Sequence, residues 1–168
     1  MRPFFYALFL STAFLSPAIA AMDRVELPDM VFSPDVTLTL VNEQATETLA
    51  VNDLEALGTY RLVTPTPWRD EPAVFEGARL ADVLERAGLS DHPAVRITAE
   101  NDYAVTVTRD VWTTYDALLA TRVDGTAHTR RARGPLQIVF DMQRVPETGQ
   151  SSFEGNWVWM VAHIEAVN

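Results

Sequence analysis

Apolar and polar residues alternate over several short stretches of the chain, and this period of two predicts β-strands. The alternation is clear over Val36–Val41 and again over Glu47–Val51, and the polar residues between them indicate a hairpin. A second hairpin is predicted at Asp124-Gly125, because this dipeptide favours a two-residue turn. The remaining predicted strands are Tyr60–Val63, Val95–Ala99, Tyr103–Thr108, Ala117–Val123, Pro135–Phe140 and Trp157–Val167.

Helical spacing is confined to short segments. Apolar residues recur every three or four positions between Arg79 and Gly88, which predicts an amphipathic helix that ends at the glycine. Asn52 is predicted to cap a single helical turn that Gly58 closes. Because strands outnumber helices and the two do not alternate regularly, the pattern favours an α+β domain with mixed sheets over a doubly wound parallel sheet.

The run Thr64, Pro65, Thr66, Pro67, Trp68 follows the predicted strand Tyr60–Val63. Each proline fixes one backbone angle and keeps the residue before it extended. We therefore predict a stiff loop here.

Residues 1–20 have the composition of a secretory signal peptide. A single charge, Arg2, precedes an apolar stretch from Phe4 to Leu15, and Ala18-Ile19-Ala20 matches a cleavage site near Ala20. The apolar stretch is shorter than the roughly 20 residues that span a bilayer, although an uncleaved anchor is the alternative. We expect residues 21–168 to form a single exported domain that does not insert into the membrane after signal cleavage.

The composition excludes several classes of function. The chain has no cysteine, so thiolate metal sites and cysteine nucleophiles are ruled out. Its net charge is -10, which disfavours binding to nucleic acid or to anionic lipid. The histidines His92, His128 and His163 lack the spacing of a zinc site, and no Gly-x-Ser-x-Gly motif is present, so no metal site and no catalytic residue is predicted.

A series of short motifs follows in order between Val36 and Asn168. It comprises Phe75, Gly77, Leu80, Asp82, Val83, Leu84 and Gly88, then Asn101, Asp102 and Tyr103, then Leu118, Leu119, Ala120, Asp124 and Gly125, then Gly134, Pro135 and Leu136, and finally Trp157, Trp159, Ile164 and Val167. Their order and spacing resemble the sulfite-oxidase-like molybdopterin-binding domain. The resemblance implies that fold, with mixed β-sheets and short helices in a single domain.

Within that resemblance, Thr64 stands where redox members of the family carry a cysteine that binds molybdenum. A hydroxyl is a poor ligand for this metal, so molybdopterin and molybdenum redox chemistry are not expected. The T-x-T-P-W loop and the W-x-W final strand are similar to a cysteine-free subgroup of the family, the periplasmic pterin-binding regulators. This likeness implies a periplasmic protein that binds a reduced pterin of the tetrahydropterin type. It further implies that the protein modulates the periplasmic domain of an inner-membrane sensor, either a cyclic-di-GMP enzyme or a histidine kinase.

A pterin is a flat heteroaromatic ring with polar edges, so its site needs a stacking face with donors and acceptors around it. Trp68 is the candidate for the stacking face, and Thr64 and Thr66 are candidates for hydroxyl contacts to the ring edge. The alternatives are that Trp68 belongs to the core and that the threonines cap the loop backbone.

Further candidates lie on a turn and on basic segments. Asn101, Asp102 and Tyr103 occupy a predicted turn, where a carboxylate can accept two N–H groups from the ligand, although an ordinary Asx turn explains them equally well. The remaining candidates are guanidinium groups suited to a ring carbonyl or a phosphate, together with one carboxylate at a strand start: Arg61, Arg131, Arg133 and Asp116. A role as ordinary solvated charges is the alternative for these residues.

Three functions remain open on the sequence. The first is the pterin-binding regulator, in which Thr64–Trp68 or Arg130–Arg133 must carry a ligand-dependent difference in affinity for the sensor. The second is a molybdopterin-dependent oxidoreductase that lacks the cysteine ligand. The third is an adaptor of the same fold that binds no ligand.

Overall fold

The computed structural model describes residues 22–149 and 153–167. The signal peptide predicted for residues 1–20 lies outside these ranges. In the described part of the chain, no helix has the length and apolarity needed to cross a bilayer.

The described residues form strands and short helices. In chain order the strands are β1 (Asp23–Arg24), β2 (Thr37–Val41), β3 (Thr46–Ala50), β4 (Tyr60–Thr66), β5 (Arg69–Arg79), β6 (Ala94–Ala99), β7 (Ala104–Thr108), β8 (Leu118–Val123), β9 (Thr126–Ala127), β10 (Gln137–Val139) and β11 (Val161–Val167). The helices are α1 (Val51–Ala56), α2 (Leu80–Arg86) and α3 (Arg109–Thr114), and 3-10 turns occupy Arg130–Ala132, Glu147–Gly149 and Glu154–Asn156.

These strands make two sheets. The first, sheet A, has the order β1-β4-β5-β8-β10 with β9 beside β8, and its pairs are antiparallel. The second, sheet B, has the order β3-β2-β11-β6-β7, in which β2 and β11 run parallel and the other pairs are antiparallel. Side chains from both sheets and from the helices share one hydrophobic core. The architecture is therefore a small α+β domain with one mixed sheet.

Several predicted elements are present, including the hairpin of β2 and β3, the helix α2 and the Asp124-Gly125 turn. Asp124 and Gly125 both have positive φ, as the tight turn between β8 and β9 requires. Other predictions were wrong at their ends. Asn52 lies inside α1, which begins at Val51, and the helix start is held by the Asp53 carboxylate, which accepts a 2.9 Å hydrogen bond from the Ala50 amide.

The predicted stiff loop was wrong in its extent. Thr64, Pro65 and Thr66 continue β4, and only Pro67 and Trp68 form the turn that leads into β5. The pairing of β4 with β5 shifts register between Thr64 and Thr66, so Pro65 lies at an irregularity where no ladder N–H is required. The long strand β5 was not predicted, because its sequence lacks a clean alternation of apolar and polar residues.

The predicted last strand, Trp157–Val167, was wrong at its start. Trp157 and Trp159 precede β11, which begins only at Val161. Trp157 is 1% exposed and belongs to the core.

Gly77 permits the close approach of β5 and β8. The pairing shifts register between Glu76 and Gly77, and a Cβ atom at Gly77 would lie 2.2 Å from the carbonyl oxygen of Leu119 and 2.9 Å from the amide of Thr121. These neighbours are backbone atoms, which cannot move aside as a flexible side chain can. Only glycine fits this position without displacing a strand.

We predict that Gly77→Ala lowers the free energy of unfolding by about 1–3 kcal/mol, because the added methyl overpacks a backbone contact. Urea denaturation of the purified protein measures this change. Gly155→Ala is the matched control, since a Cβ atom there meets nothing within 4 Å. Equal stability of the two variants would contradict the steric role of Gly77.

Candidate functional site

A cavity of about 360 Å³ opens beside the turn between β4 and β5. One wall comes from this turn and from β5, and a second comes from the end of β8 and the Asp124 turn. The third wall is Arg131–Arg133, which comprises the end of the 3-10 turn Arg130–Ala132 and the residue that follows it. The cavity thus lies where three loops at one end of sheet A converge.

Trp68 forms the apolar side of this cavity together with Phe75. Its indole is 37% exposed, so it is neither a core residue nor a fully solvated one. The ring meets Trp159 edge to face, with centroids 4.5 Å apart, and meets the buried Trp157 at 6.1 Å. These contacts hold the indole in place while part of its surface stays accessible.

Arg133 links the cavity to this aromatic cluster. Its guanidinium carbon lies 4.6 Å from the ring centroid of Trp68 and 5.0 Å from that of Trp159, which are cation–π distances. The backbone of Arg133 is left-handed, with φ of 76°, and its carbonyl accepts a 3.4 Å hydrogen bond from the Met160 amide.

His128 and Gln137 form the buried polar pair of the cavity wall. His128 Nε2 lies 2.8 Å from Gln137 Oε1, and the histidine is 5% exposed. With the amide oxygen assigned as acceptor, Nε2 carries the proton and Nδ1 has a free lone pair. Nδ1 has no hydrogen-bond partner among the described residues. Burial lowers the pKa of His128 below 6.5, and the bond to Gln137 only partly opposes this effect, so the ring is neutral at neutral pH.

Charged groups stand at the rim. Arg69 Nη1 lies 3.2 Å from Asp124 Oδ2, and the other carboxylate oxygen accepts a 3.0 Å hydrogen bond from the Val74 amide. The Val74 hydrogen bond is the main cause that lowers the pKa of Asp124, and Arg69 lowers it further. Within residues 22–149 and 153–167, no carboxylate pairs with Arg131 or Arg133. A protein of net charge -10 therefore has a positively charged cavity wall.

The structure brings only some of the sequence candidates together. Four of them line the cavity: Thr66, Trp68, Arg131 and Arg133. Thr64 does not, because its side chain is fully buried and its hydroxyl accepts a 3.2 Å hydrogen bond from the Met142 amide. Arg61 points elsewhere and donates to the buried carboxylate of Glu76 from Nε and Nη2, at 3.0 and 2.7 Å.

The remaining candidates also lie outside the cavity. Asp116 forms an ion pair with Arg144, with 2.9 Å between Oδ2 and Nη2. Asn101 makes the Asx turn that was the alternative explanation, since its Oδ1 accepts a 3.3 Å hydrogen bond from the Tyr103 amide. Asp102 follows in a left-handed conformation with φ of 64°. Tyr103 stacks on Trp159 and is therefore separated from Trp68 by one ring.

Sequence reasoning missed seven residues of the wall: Arg69, Phe75, Val123, Asp124, His128, Ala132 and Gln137. Asp124 was recognised as a turn residue, and nothing local shows that Arg69, from another hairpin, meets it. The pairing of His128 with Gln137 depends on the placement of β9 and β10 on β8 and has no sequence signal of its own.

No protein-family model matches the chain, and no curated protein matches it by sequence. The fold does match a solved structure, the sulfane dehydrogenase SoxCD from Paracoccus pantotrophus, with a TM-score of 0.60 and 13% sequence identity. The match covers 82% of this chain and 39% of the other, so this chain spans well under half of that protein's length. At this identity the similarity shows a shared fold.

We predict that His128 makes folding sensitive to mild acid. Because the folded pKa lies below the unfolded value of 6.5, the unfolded state binds the proton first as the pH falls. Folding stability should therefore fall as the pH drops from about 6.5 to the folded pKa. The variant His128→Asn lacks this contribution, so its free energy of unfolding should change less between pH 7.5 and pH 5 than that of the wild type.

Urea denaturation at a series of pH values measures the difference, and His92→Gln, at a half-exposed histidine outside the cavity, is the control. Parallel pH profiles for the wild type and His128→Asn would show that the buried imidazole does not carry the effect.

Proposed function

We propose that this chain is a periplasmic protein whose cavity binds a reduced pterin and that it modulates the periplasmic domain of an inner-membrane sensor. One observation supports the proposal most strongly. The part-exposed indole of Trp68 lines the same cavity as the guanidinium groups of Arg131 and Arg133, which have no carboxylate partner in the described chain. The wider assignment to the sulfite-oxidase-like family, and to its pterin-binding subgroup, belongs to the same proposal.

The cavity suits a small heteroaromatic ring. Its volume of about 360 Å³ falls in the usual range for small-molecule sites, which runs from about 300 to 1,000 Å³. Trp68 and Phe75 offer apolar contact to the ring, and the guanidinium groups offer donors to a ring carbonyl. The carboxylate of Asp124, with its lowered pKa, is an acceptor for the amino and N–H groups of the same ring.

The fold shared with a dehydrogenase favours a second candidate, a molybdopterin-dependent oxidoreductase without a cysteine ligand. We place it second because of Thr64, the residue that the family resemblance puts at the metal-binding position. Its hydroxyl is fully buried, bonded to the Met142 amide and absent from the cavity wall. This environment does not fit a metal ligand.

Purification of the mature protein from a periplasm distinguishes the pterin-binding protein from the molybdopterin-dependent oxidoreductase. The first candidate expects a co-purified pterin, detected by its fluorescence after oxidation, and no stoichiometric molybdenum by elemental analysis. Stoichiometric molybdenum would favour the oxidoreductase. Protein that is empty and also fails to bind added tetrahydropterins would exclude the first candidate and leave the adaptor.

We predict that Trp68→Ala weakens the binding of tetrahydrobiopterin about tenfold, since an aromatic contact is worth about 0.5–1.5 kcal/mol beyond its buried area. Arg131→Ala should also weaken binding, by removing one donor. Isothermal titration calorimetry measures both, with Val63→Ala as the control, because Val63 is 50% exposed on β4 and lies outside the cavity. Unchanged affinity in both cavity variants would place the pterin elsewhere.

A further inference from the structure

The segment Arg130–Arg133 has the cavity on one side and the turn between β6 and β7 on the other. Arg130 binds Glu100 in this turn, and its Nε and Nη2 lie 2.8 and 2.7 Å from the two carboxylate oxygens. Backbone hydrogen bonds make a second connection. The Met160 amide donates to the carbonyl of Arg133, and the carbonyl of Met160 accepts a 2.8 Å hydrogen bond from the Glu100 amide. Side-chain and backbone hydrogen bonds therefore connect the cavity wall to the turn.

A third link runs through side chains. Arg133 lies over Trp159, and Trp159 stacks on Tyr103 with an interplanar angle of 7° and 6.3 Å between centroids. Tyr103 is 44% exposed, and its hydroxyl donates a 3.4 Å hydrogen bond to the carbonyl of Gly155. A continuous row of contacts thus leads from the cavity to an exposed ring.

The exposed end of this row is acidic and aromatic. Asp102 precedes Tyr103 and is exposed, with the left-handed backbone that ends the turn. Glu154, also exposed, precedes the glycine to which Tyr103 bonds. We call Asp102, Tyr103 and Glu154 the Tyr103 surface. A ring flanked by carboxylates attracts cations, through both the charges and the ring face.

We propose that the Tyr103 surface docks a basic, arginine-bearing segment of the partner protein, and that Arg133 transmits the occupancy of the cavity to it. This inference rests on the proposed function. Asp102 and Tyr103, which the sequence analysis assigned to the ligand site, thereby belong to the surface that the partner contacts.

The physical basis is competition for one guanidinium group. Arg133 is shared by the rings of Trp68 and Trp159, and a ligand that engages its guanidinium competes with those contacts. Trp159 then alters its packing against Tyr103. A difference in the affinity of the partner for the two states follows, which a ligand-controlled regulator requires.

The first test labels the mature protein with 5-fluorotryptophan and follows its 19F NMR spectrum during titration with tetrahydrobiopterin. The chain has 4 tryptophans, which Trp→Phe variants assign one by one. We expect the signals of Trp68 and Trp159 to shift, while Trp112, buried in α3, serves as the internal control and stays in place. A shift of Trp68 alone would keep the pterin site and overturn the coupling. The absence of any shift would overturn both the pterin site and this inference.

The second test measures binding of an octapeptide rich in arginine by fluorescence anisotropy, with and without tetrahydrobiopterin. We expect Tyr103→Ala and Asp102→Asn each to weaken peptide binding about threefold to fivefold, as loss of one exposed cation contact predicts. Tetrahydrobiopterin should change the wild-type affinity for the peptide, whereas Tyr103→Ala should leave the affinity for tetrahydrobiopterin itself within about twofold, because Tyr103 lies outside the cavity.

Asp91→Asn is the matched control, since the side chain of Asp91 is 100% exposed and remote from these contacts in its pairing with Arg109. A loss of peptide affinity in Asp91→Asn equal to that in Asp102→Asn would reveal general attraction to an acidic protein and overturn the docking surface. Peptide affinity that does not respond to bound tetrahydrobiopterin would overturn the coupling and leave the pterin site intact.

Discussion

The close pairing of β5 with β8 and with the turn that follows β8 is the constraint on which the site depends. Gly77 allows β5 to approach the backbone of β8 closely. Three residues before Gly77, the amide of Val74 donates to the carboxylate of Asp124, and the carbonyl of Val74 accepts from the Asp124 amide at 2.8 Å. These bonds bring the Asp124 turn beside the turn that carries Trp68. Both turns contribute lining residues, so these bonds place two of the cavity walls side by side.

The charge distribution gives this cavity its chemical character. Ion pairs between exposed side chains contribute little to stability. Several arginines of this chain form such pairs, namely Arg69, Arg86, Arg96 and Arg109. Arg133 is different, because its guanidinium lies against indole rings and no carboxylate of the described chain neutralises it. The wall that includes it is positively charged in an acidic protein, so an electron-rich or anionic ligand edge is attracted where the rest of the surface repels it.

The aromatic cluster joins residues from turns of both sheets. Trp68 comes from the β4–β5 turn of sheet A, whereas Tyr103 comes from the β6–β7 turn of sheet B. Trp159 lies between them and contacts both rings. Rings in contact cannot move independently in a close-packed environment, so a change at the cavity has a physical route to the surface of the other sheet.

The sequence by itself determined the α+β class, most strand positions, the helix α2 and the tight Asp124-Gly125 turn, because these follow from periodicity and from local backbone preferences. Of the candidate ligand residues that it proposed, Thr66, Trp68, Arg131 and Arg133 line the cavity, because they come from a Pro-rich turn and from a basic cluster that are local in sequence. Only the tertiary structure decided that Thr64 is buried, that Asn101–Tyr103 lie beyond Trp159, and that His128 and Gln137 complete the wall. The physical reason is that strand pairing and register bring distant residues together, and no local pattern encodes which turns will meet at one end of a sheet.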